Sequence, residues 1–477
     1  MSASTKLQVI RVIETDLNQG KRLAEQKSLT VRDDQPGSNG QEGQLLNIYE
    51  QVQYQEILGF GGAFTEASAL NFAQLDPKNQ ALLMEAYFDP ELGLGYNFCR
   101  STINSCDFSA DFYTYDDTED DYNLSDFNIE HDRQAIIPMI KAARENNEDL
   151  RLFCSPWSPP AWMKTNHRMD HGGSLRPECR DVWARYTARF IQAYQAEGVP
   201  IWGVTVQNEA KAAQGWESCV YSAGEERDFV TGFLKPAYEQ AGLGDVKVFF
   251  WDHNKERVVE RGLETLCNER SRAAFDGVAV HWYSGDHFTA LDVFHRLYPE
   301  KIIIASEQCT HAEPDIPYAS GEAYAHDILG NLNNWAAAWT DWNMLLDDQG
   351  GPDHWKDWQE ANPEAWEAWR QTPLKTEAEI WVGEAPVMLD RRSQTLSFSS
   401  SYYYLGHFSK YIQRSARRIG SSCYSPLLET AAFMNPDGSV TAIVLNRSSQ
   451  TLPLTLRWKK RLADYQVSPH SIVTFLL

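Results

Sequence analysis

Two glutamates each follow a strongly apolar run of the sequence. Glu209 ends the run IWGVTVQNE (201–209), and Glu307 follows KIIIAS (301–306). A buried strand that ends in a carboxylate must solvate or pair that charge. Two carboxyl groups that face each other can cleave a glycoside, one as general acid on the leaving oxygen and the other as the group that attacks the anomeric carbon. The alternative is that both are structural acids paired with arginines, since the chain has 66 acidic residues.

The middle of the chain supplies the elements that would position these two residues. Eight short apolar or β-rich runs follow one another, at 56–64, 94–103, 150–160, 201–209, 246–254, 277–285, 301–309 and 336–344. Helix-length segments separate most of them, including 128–147, 180–198, 224–242 and 255–267. This alternation predicts a parallel sheet, and eight units favour a closed (β/α)₈ TIM barrel over a doubly wound sheet. Strands four and seven of such a barrel are on opposite sides, so Glu209 and Glu307 can face each other across its mouth.

Both ends of the chain have a different pattern. The runs 7–15 and 44–53 are β-rich, and short β-rich runs return from about residue 390 to the end. The step MNPDGSV (434–440) is typical of a turn between two strands. We therefore predict a small β-sandwich side domain formed from both chain ends. The predicted boundaries are 1–54 for its N-terminal part, 55–389 for the catalytic barrel and 390–477 for its C-terminal part.

Composition excludes several classes of function. The 477 residues carry a net charge of −23, which disfavours binding to nucleic acid or to anionic lipid surfaces. No run approaches the length of a transmembrane helix, and no signal peptide is evident at the start, so we expect a cytoplasmic protein. The eight cysteines contain no CxxC pair, and we expect neither a metal nor a cofactor. The oligomeric state is left open.

Seven segments together resemble one known enzyme family. They are GFGGAFTEASA (59–69), YNFCRSTINSCDFS (96–109), LFCSPWSPPAWMKTN (152–166), VTVQNE (204–209), VAVHWYS (278–284), ASEQC (305–309) and DWNMLLDDQGGP (341–352). The pattern is similar to glycoside hydrolase family 30, in its glucosylceramidase and β-1,6-glucanase branch. The likeness spans roughly 55–355, and the β-rich ends match the side sandwich of that family.

The resemblance implies roles for the residues around the two glutamates. Glu209 matches the acid/base of a retaining β-glycosidase, and Glu307 matches its nucleophile. Asn208 matches the residue that hydrogen-bonds the sugar 2-hydroxyl, and Arg100 is expected to orient the nucleophile. Because two close carboxylates resist joint ionisation, we expect the pKa of Glu209 to be raised while Glu307 is ionised.

The resemblance also suggests a sugar pocket. Glu66 resembles an acidic residue that binds glucose hydroxyls, although the family pattern has Asp there. Trp157 and Trp342 resemble aromatics that face the sugar ring, but either could be a core residue, since the chain has 16 tryptophans. Two residues after the sixth run are also candidates: Tyr283 is expected to bond Glu307, whereas His281 is either a pocket residue or a structural histidine. Asn343 is a further candidate for the pocket.

The function expected from this pattern is a retaining β-glycosidase that hydrolyses β-glucosides, as a glucosylceramidase does. Two alternatives come from the same family, an endo-β-1,6-glucanase and a β-xylosidase or β-fucosidase. A third alternative is a carbohydrate-binding protein that does not cleave its ligand. The substrate is expected to be a small-molecule or oligosaccharide β-glycoside.

Overall fold

A computed structural model describes residues 9–35, 42–311, 315–354 and 383–477. The first two residues of the predicted strand 7–15 and residues 355–382 of the predicted barrel domain lie outside this description. Eight parallel strands form a closed barrel in the middle of the chain. In chain order they are Gly59–Phe64, Phe98–Ile103, Arg151–Pro156, Ile201–Thr205, Lys247–Asn254, Gly277–His281, Ile302–Glu307 and Ala336–Asn343.

The strands of the barrel follow one another around the ring in sequence order. The eighth strand closes the ring on the first, with Ala338 opposite Gly59. Six apolar side chains from six different barrel strands pack together as one cluster: Phe98, Phe153, Phe249, Ala279, Ile304 and Ala338. The interior is thus filled by side chains, as in a TIM barrel. The predicted fold class is confirmed.

Helices lie between the barrel strands along the chain. Their bounds are Glu66–Gln74, Pro77–Phe88, Ile136–Asn146, Arg180–Ala196, Ala223–Phe229, Lys235–Gln240, Val258–Thr265, Glu269–Ala274, Phe288–Leu297 and Ala319–Asn333. In Arg180–Ala196 the residues Val182, Tyr186 and Phe190 are buried on one face. Gly198 follows with φ +80°, a left-handed conformation that ends helices.

Two predicted helices differ from the observed ones because of proline. The predicted helix 128–147 begins only at Ile136, and Pro138 occupies its first turn, where the missing N–H costs least. The predicted helix 224–242 is divided by a π-helical turn, Val230–Leu234, directly before the segment that contains Pro236. A proline inside a helix removes one hydrogen bond, and the ladder shifts around it.

The strands from both chain ends form one ten-stranded sheet. In spatial order the strands are Lys21–Thr30, Val9–Asp16, Ser471–Leu476, Val440–Asn446, Leu428–Met434, Arg417–Cys423, Leu45–Glu56, Leu452–Trp458, Arg461–Val467 and Arg32–Asp33. Val12, Val444 and Phe475 from one half share an apolar core with Leu454 and Trp458 from the other half. The side domain built from both termini is therefore present.

Shorter elements connect the barrel with this domain. A three-stranded sheet joins Leu345–Asp347, Val387–Asp390 and Thr395–Phe398, and Thr310–His311 pairs with Gly383–Glu384. Helix Ser400–Ser409 follows. Its residue His407 hydrogen-bonds Thr15 and Thr474, which belong to the first and last strands of the ten-stranded sheet. Within the described residues, no helix has the length and apolar character needed to span a bilayer.

Candidate active site

Glu307 ends the seventh barrel strand and is held by two partners from other strands. The guanidinium of Arg100, from the second strand, donates to its Oε2. The hydroxyl of Tyr283 donates to its Oε1 over 3.0 Å. Both contacts are those expected from the sequence. They hold the carboxylate in one orientation.

Glu209 follows the fourth strand and is held more loosely than Glu307. Its Oε2 accepts a long hydrogen bond of 3.4 Å from Gln214, and Nδ1 of His253 lies 3.7 Å from its Oε1. The side chain is 15% exposed, against 8% for Glu307. Glu209 can therefore exchange a proton with a ligand more easily than Glu307 can.

His281 lies between the two glutamates. Its Nδ1 is 3.6 Å from Oε1 of Glu209 and 3.7 Å from Oε1 of Glu307, slightly longer than hydrogen bonds. The two carboxylate oxygens are thus no farther apart than the sum of these distances. This upper limit on the distance between the two carboxylates is compatible with the separation of about 5–5.5 Å found in retaining glycosidases. The other ring nitrogen, Nε2, lies 3.0 Å from Oδ1 of Asp252.

The protonation of this site differs from the sequence-based expectation. Burial raises the pKa of Glu209, but the imidazoles of His253 and His281 outweigh it and lower that pKa to about 2. At His281, burial lowers the pKa, but Glu307, Asp252 and Glu209 outweigh it and raise the pKa to about 9. The expected raised pKa of Glu209 is therefore wrong for the ligand-free site. The physical reason is that the proton resides on the imidazole between the carboxylates.

Asp252, which sequence reasoning did not select, contacts both Arg100 and His281. Its Oδ2 accepts from Nη2 of Arg100 over 2.7 Å and from Thr205 over 2.6 Å. Its Oδ1 accepts from Ser306 over 2.6 Å, in addition to the contact with His281. Burial raises the pKa of Asp252, but the Arg100 cation and these hydrogen bonds outweigh it and hold the pKa far below its usual range. The only sequence signal was its place in the polar end of the fifth run.

Local backbone distortion produces this arrangement. Trp251 and Asp252 have φ values of +75° and +45°, and the pairing with the sixth strand shifts register at this point. Such a bulge changes the direction in which a side chain points. Glu209 also has a positive φ of +48°, and its N–H donates to the carbonyl of Asp252 over 2.8 Å. Non-glycine residues rarely adopt this conformation, and it clusters at functional sites.

Asn208 points its amide toward the same centre. Its Oδ1 accepts from Nη2 of Arg100 over 2.9 Å, and its N–H donates to the carbonyl of Pro156. With the oxygen occupied, the amide nitrogen is the group left to donate to a ligand hydroxyl. A role in binding a sugar hydroxyl stays a prediction.

The two predicted pocket tryptophans form one wall. Trp157 and Trp342 stack with ring centroids 4.8 Å apart, and each is 2% exposed. The Arg100 guanidinium lies 4.7 Å and 5.4 Å from the two ring centroids. Their faces are thus largely covered by each other and by Arg100, and a sugar would meet their edges.

Asn343 is buried at the junction of the first and eighth strands. Its Oδ1 accepts from the hydroxyl of Thr65 over 2.8 Å, and the residue is 1% exposed. This contact gives Asn343 a structural role in holding the two strand ends together. A role of Asn343 in ligand binding stays a prediction.

Both carboxylate oxygens of Glu66 have partners within the protein. Its two oxygens lie 2.7 Å from Nε2 of His131 and 3.1 Å from the N–H of Ala110. A second acid, Asp107, lies in the motif NSCDFS after the second strand and is half-buried. Its Oδ1 has no hydrogen-bond partner among the described residues, so this oxygen can accept a hydrogen bond from a ligand. Burial and the charges of Glu307, Glu217 and Glu209 raise the pKa of Asp107 well above its usual value. Asp107 therefore lies near both glutamates, and sequence reasoning missed it.

The described residues contain no group of three or more histidine, cysteine or acidic side chains arranged to hold a metal ion. The groups that converge on the two glutamates are cations, hydroxyls and amides. They suit acid–base and nucleophilic chemistry on a polar substrate.

Comparisons with known proteins identify the family. Residues 57–372 match the glycosyl hydrolase family 30 TIM-barrel domain, and residues 415–475 match the β-sandwich domain of the same family. The chain belongs to glycosyl hydrolase family 30. It is therefore a glycoside hydrolase, and the family predicted from its motifs is confirmed.

Relatives of this family 30 chain include curated enzymes and a solved structure. Lysosomal acid glucosylceramidase of Mus musculus is 34% identical over 438 residues, which cover 87% of this chain and 79% of the relative. Endo-1,6-β-D-glucanase of Neurospora crassa is 27% identical over 457 residues, 93% of this chain and 89% of the relative. The crystal structure of SrfJ from Salmonella typhimurium aligns with a TM-score of 0.90 and 31% identity, covering 98% of this chain and 99% of that one.

Proposed function

We propose that this family 30 enzyme is a retaining β-glycosidase that hydrolyses β-glucosides through a covalent glycosyl-enzyme. The observation that carries the proposal is the position of His281 Nδ1, within 3.7 Å of one oxygen of each glutamate. It brings the carboxyls close enough for one to attack the anomeric carbon while the other serves the leaving oxygen.

The surroundings of the two glutamates support different roles for them. Glu307 accepts from Arg100 and Tyr283, so its carboxylate is held in place, as a nucleophile must be. Glu209 has weaker contacts and greater exposure, so it can give up and regain a proton. We assign the nucleophile to Glu307 and the acid/base to Glu209.

The proton on His281 supplies the first step. Transfer of this proton from Nδ1 to Oε1 of Glu209 changes no net charge in the site and produces the general acid. Glu209 then protonates the leaving oxygen while Glu307 bonds to the anomeric carbon. In the second step Glu209, now ionised, removes a proton from water, which displaces Glu307.

Hydrogen-bond donors and acceptors beside the two glutamates recognise the sugar. The Asn208 amide can donate to the 2-hydroxyl, and Asp107 can accept from a hydroxyl elsewhere on the ring. Because both oxygens of Glu66 have protein partners, Asp107 replaces Glu66 as the acid proposed to bind the sugar. The mouse relative, a glucosylceramidase, supports glucose as the sugar.

An endo-β-1,6-glucanase is the second candidate. It is favoured by the Neurospora crassa relative, which aligns with 93% of this chain. A panel of aryl β-glycosides, glucosylceramide in detergent and β-1,6-glucan would separate the two candidates by their kcat/KM values.

Trapping the intermediate tests the mechanism directly. A 2-deoxy-2-fluoro-β-glucoside with a good leaving group should label Glu307, because the fluorine slows the second step more than the first. Peptide mass spectrometry locates the label. A label on any other residue contradicts the assignment. Binding of glucosides without turnover would support the carbohydrate-binding alternative.

A further inference from the structure

One aromatic side chain beside the active site is largely exposed. Phe112 is 42% exposed, in the loop that follows the second strand. Its inner neighbour is the imidazole of His354, with ring centroids 4.6 Å apart. Ligand sites are lined mainly by apolar and aromatic side chains, so an exposed ring beside an enzyme site can contact a bound ligand.

His354 holds this ring in place. Its Nδ1 lies 3.0 Å from the carbonyl of Ser109 and its Nε2 lies 3.1 Å from Oε2 of Glu217, a residue that is 1% exposed. Both ring nitrogens are therefore engaged, which requires the protonated imidazole. In agreement, burial lowers the pKa of His354 but Glu217 and Ser109 outweigh it and raise that pKa to about 9. Phe112 rests on a rigid cationic support.

The same loop extends from Phe112 to the catalytic pair. Asp107 begins it, and the ring of Phe108 packs edge-on against Trp342 at 6.3 Å. Trp342 in turn contacts the Arg100 guanidinium that binds Glu307. The side chains of Asp107 and Phe112 therefore belong to one short rim segment beside the site.

The charges around Phe112 restrict what can bind there. Residues 110–127 include seven acidic and no basic residues. Such a rim repels anionic lipid surfaces. An alkyl chain needs a continuous apolar track, whereas Phe112 directly follows the exposed Asp111. A sugar ring fits both features, because its C–H face packs on an aromatic ring and its hydroxyls donate to carboxylates.

We propose that Phe112, supported by His354, forms a second sugar subsite, so that the enzyme acts on oligosaccharides and recognises the glucose unit next to the one it cleaves. This inference rests on the proposed β-glucosidase function and extends it to the substrate class. The catalytic glutamates do the chemistry, and Phe112 sets the preference for a disaccharide over a simple aryl glucoside.

The test compares kcat/KM for gentiobiose with kcat/KM for 4-nitrophenyl β-glucoside. Phe112→Ala should lower the ratio of the two roughly three- to tenfold, the range that one aromatic contact supplies. Phe112→Tyr keeps the ring and should keep the ratio. Tyr122→Ala is the matched control, since Tyr122 is 38% exposed in the same loop but packs on Trp162.

The outcomes distinguish this proposal from the proposed function. An equal loss on both substrates, or an unchanged ratio, overturns the second subsite. A loss confined to glucosylceramide in micelles also overturns it and assigns the surface to lipid. If the wild type cleaves neither substrate, the proposed function fails. Calorimetry with Glu307→Gln then tests the subsite alone: gentiobiose should bind more tightly than glucose, and the added Phe112→Ala change should remove the difference.

Discussion

The carboxylate of Asp252 lies 2.7 Å from Nη2 of Arg100, and both side chains are fully buried. One oxygen of Asp252 holds the guanidinium that binds Glu307. Its other oxygen, Oδ1, contacts the imidazole of His281, which faces both glutamates. Asp252→Asn leaves a buried cation with one partner fewer. We expect the free energy of unfolding to fall by about 3–5 kcal/mol, as when buried pairs lose one member. Denaturant unfolding measures this.

A surface pair provides the control for Asp252. Arg11 and Glu25 also form a close pair, but their side chains are 55% and 53% exposed. Glu25→Gln should lower the free energy of unfolding far less than Asp252→Asn does, because water screens an exposed pair. Equal losses for the two variants would contradict a supporting role for the buried pair.

Glu307→Gln should reduce kcat by roughly 10⁴-fold, because an amide cannot form the glycosyl ester. The melting temperature and circular dichroism should stay close to those of the wild type. Glu322→Gln is a matched control, because Glu322 is also a buried acid but is paired with His470 outside the site. Retention of substantial turnover by Glu307→Gln would exclude it as nucleophile.

Glu209→Ala should be rescued in part by azide on a substrate with an activated leaving group. Such a substrate needs no general acid in the first step, and azide needs no general base in the second. The product should be the β-glycosyl azide, identified by NMR. An α-azide would contradict retention.

The rate should fall at alkaline pH when the site loses the proton held by His281. Its pKa is raised to about 9, so kcat/KM should decline above that pH by about tenfold per unit. In His281→Gln the proton must reside on Glu209, and the decline should begin at lower pH. His407→Gln, at a buried histidine outside the site, should leave the midpoint of this decline unchanged. A pH–rate profile with the same midpoint in His281→Gln and the wild type would contradict the shared proton.

The same raised pKa affects stability. A group whose pKa is higher in the folded state stabilises fully below its unfolded value and progressively less as pH rises through the folded value. The contribution of His281 should therefore be complete below pH 6.5 and lost as pH rises through about 9. Denaturant midpoints across this range check the direction.

Asp107→Asn should lower kcat/KM for an aryl glucoside by about 10²-fold, since a ligand hydroxyl loses its carboxyl partner in a buried site. Glu66→Gln should have a much smaller effect on activity, because its carboxylate serves His131 and Ala110. The reverse order would restore Glu66 as the sugar-binding acid.

The barrel was predictable because parallel strands are buried on both faces and leave continuous apolar runs. The run 201–209 corresponds to strand Ile201–Thr205 with Glu209 beyond it, and 301–309 to Ile302–Glu307. Alternation between strand and helix then decides the topology, and the order of strands decides which residues meet across the mouth.

The parts that were missed depend on contacts between distant strands. Asp252 faces the site because the backbone at Trp251 and Asp252 has positive φ, and no local residue pattern indicates that distortion. The pKa of Glu209 depends on His253 and His281, which come from the fifth and sixth strands. Free and occupied acids such as Asp107 and Glu66 cannot be distinguished before their partners are known.

The pairing of the first and last strands constrains the order in which this protein is completed. Val9–Asp16 forms a hairpin with Lys21–Thr30, but its other edge pairs with Ser471–Leu476, and Val12 lies opposite Phe475. During synthesis that edge stays unpaired until Ser471–Leu476 has left the ribosome. An open strand edge is a template for pairing with other chains. Nascent copies are thus most vulnerable to joining one another before Ser471–Leu476 emerges, and chaperone binding at the hairpin of Val9–Asp16 and Lys21–Thr30 would protect them.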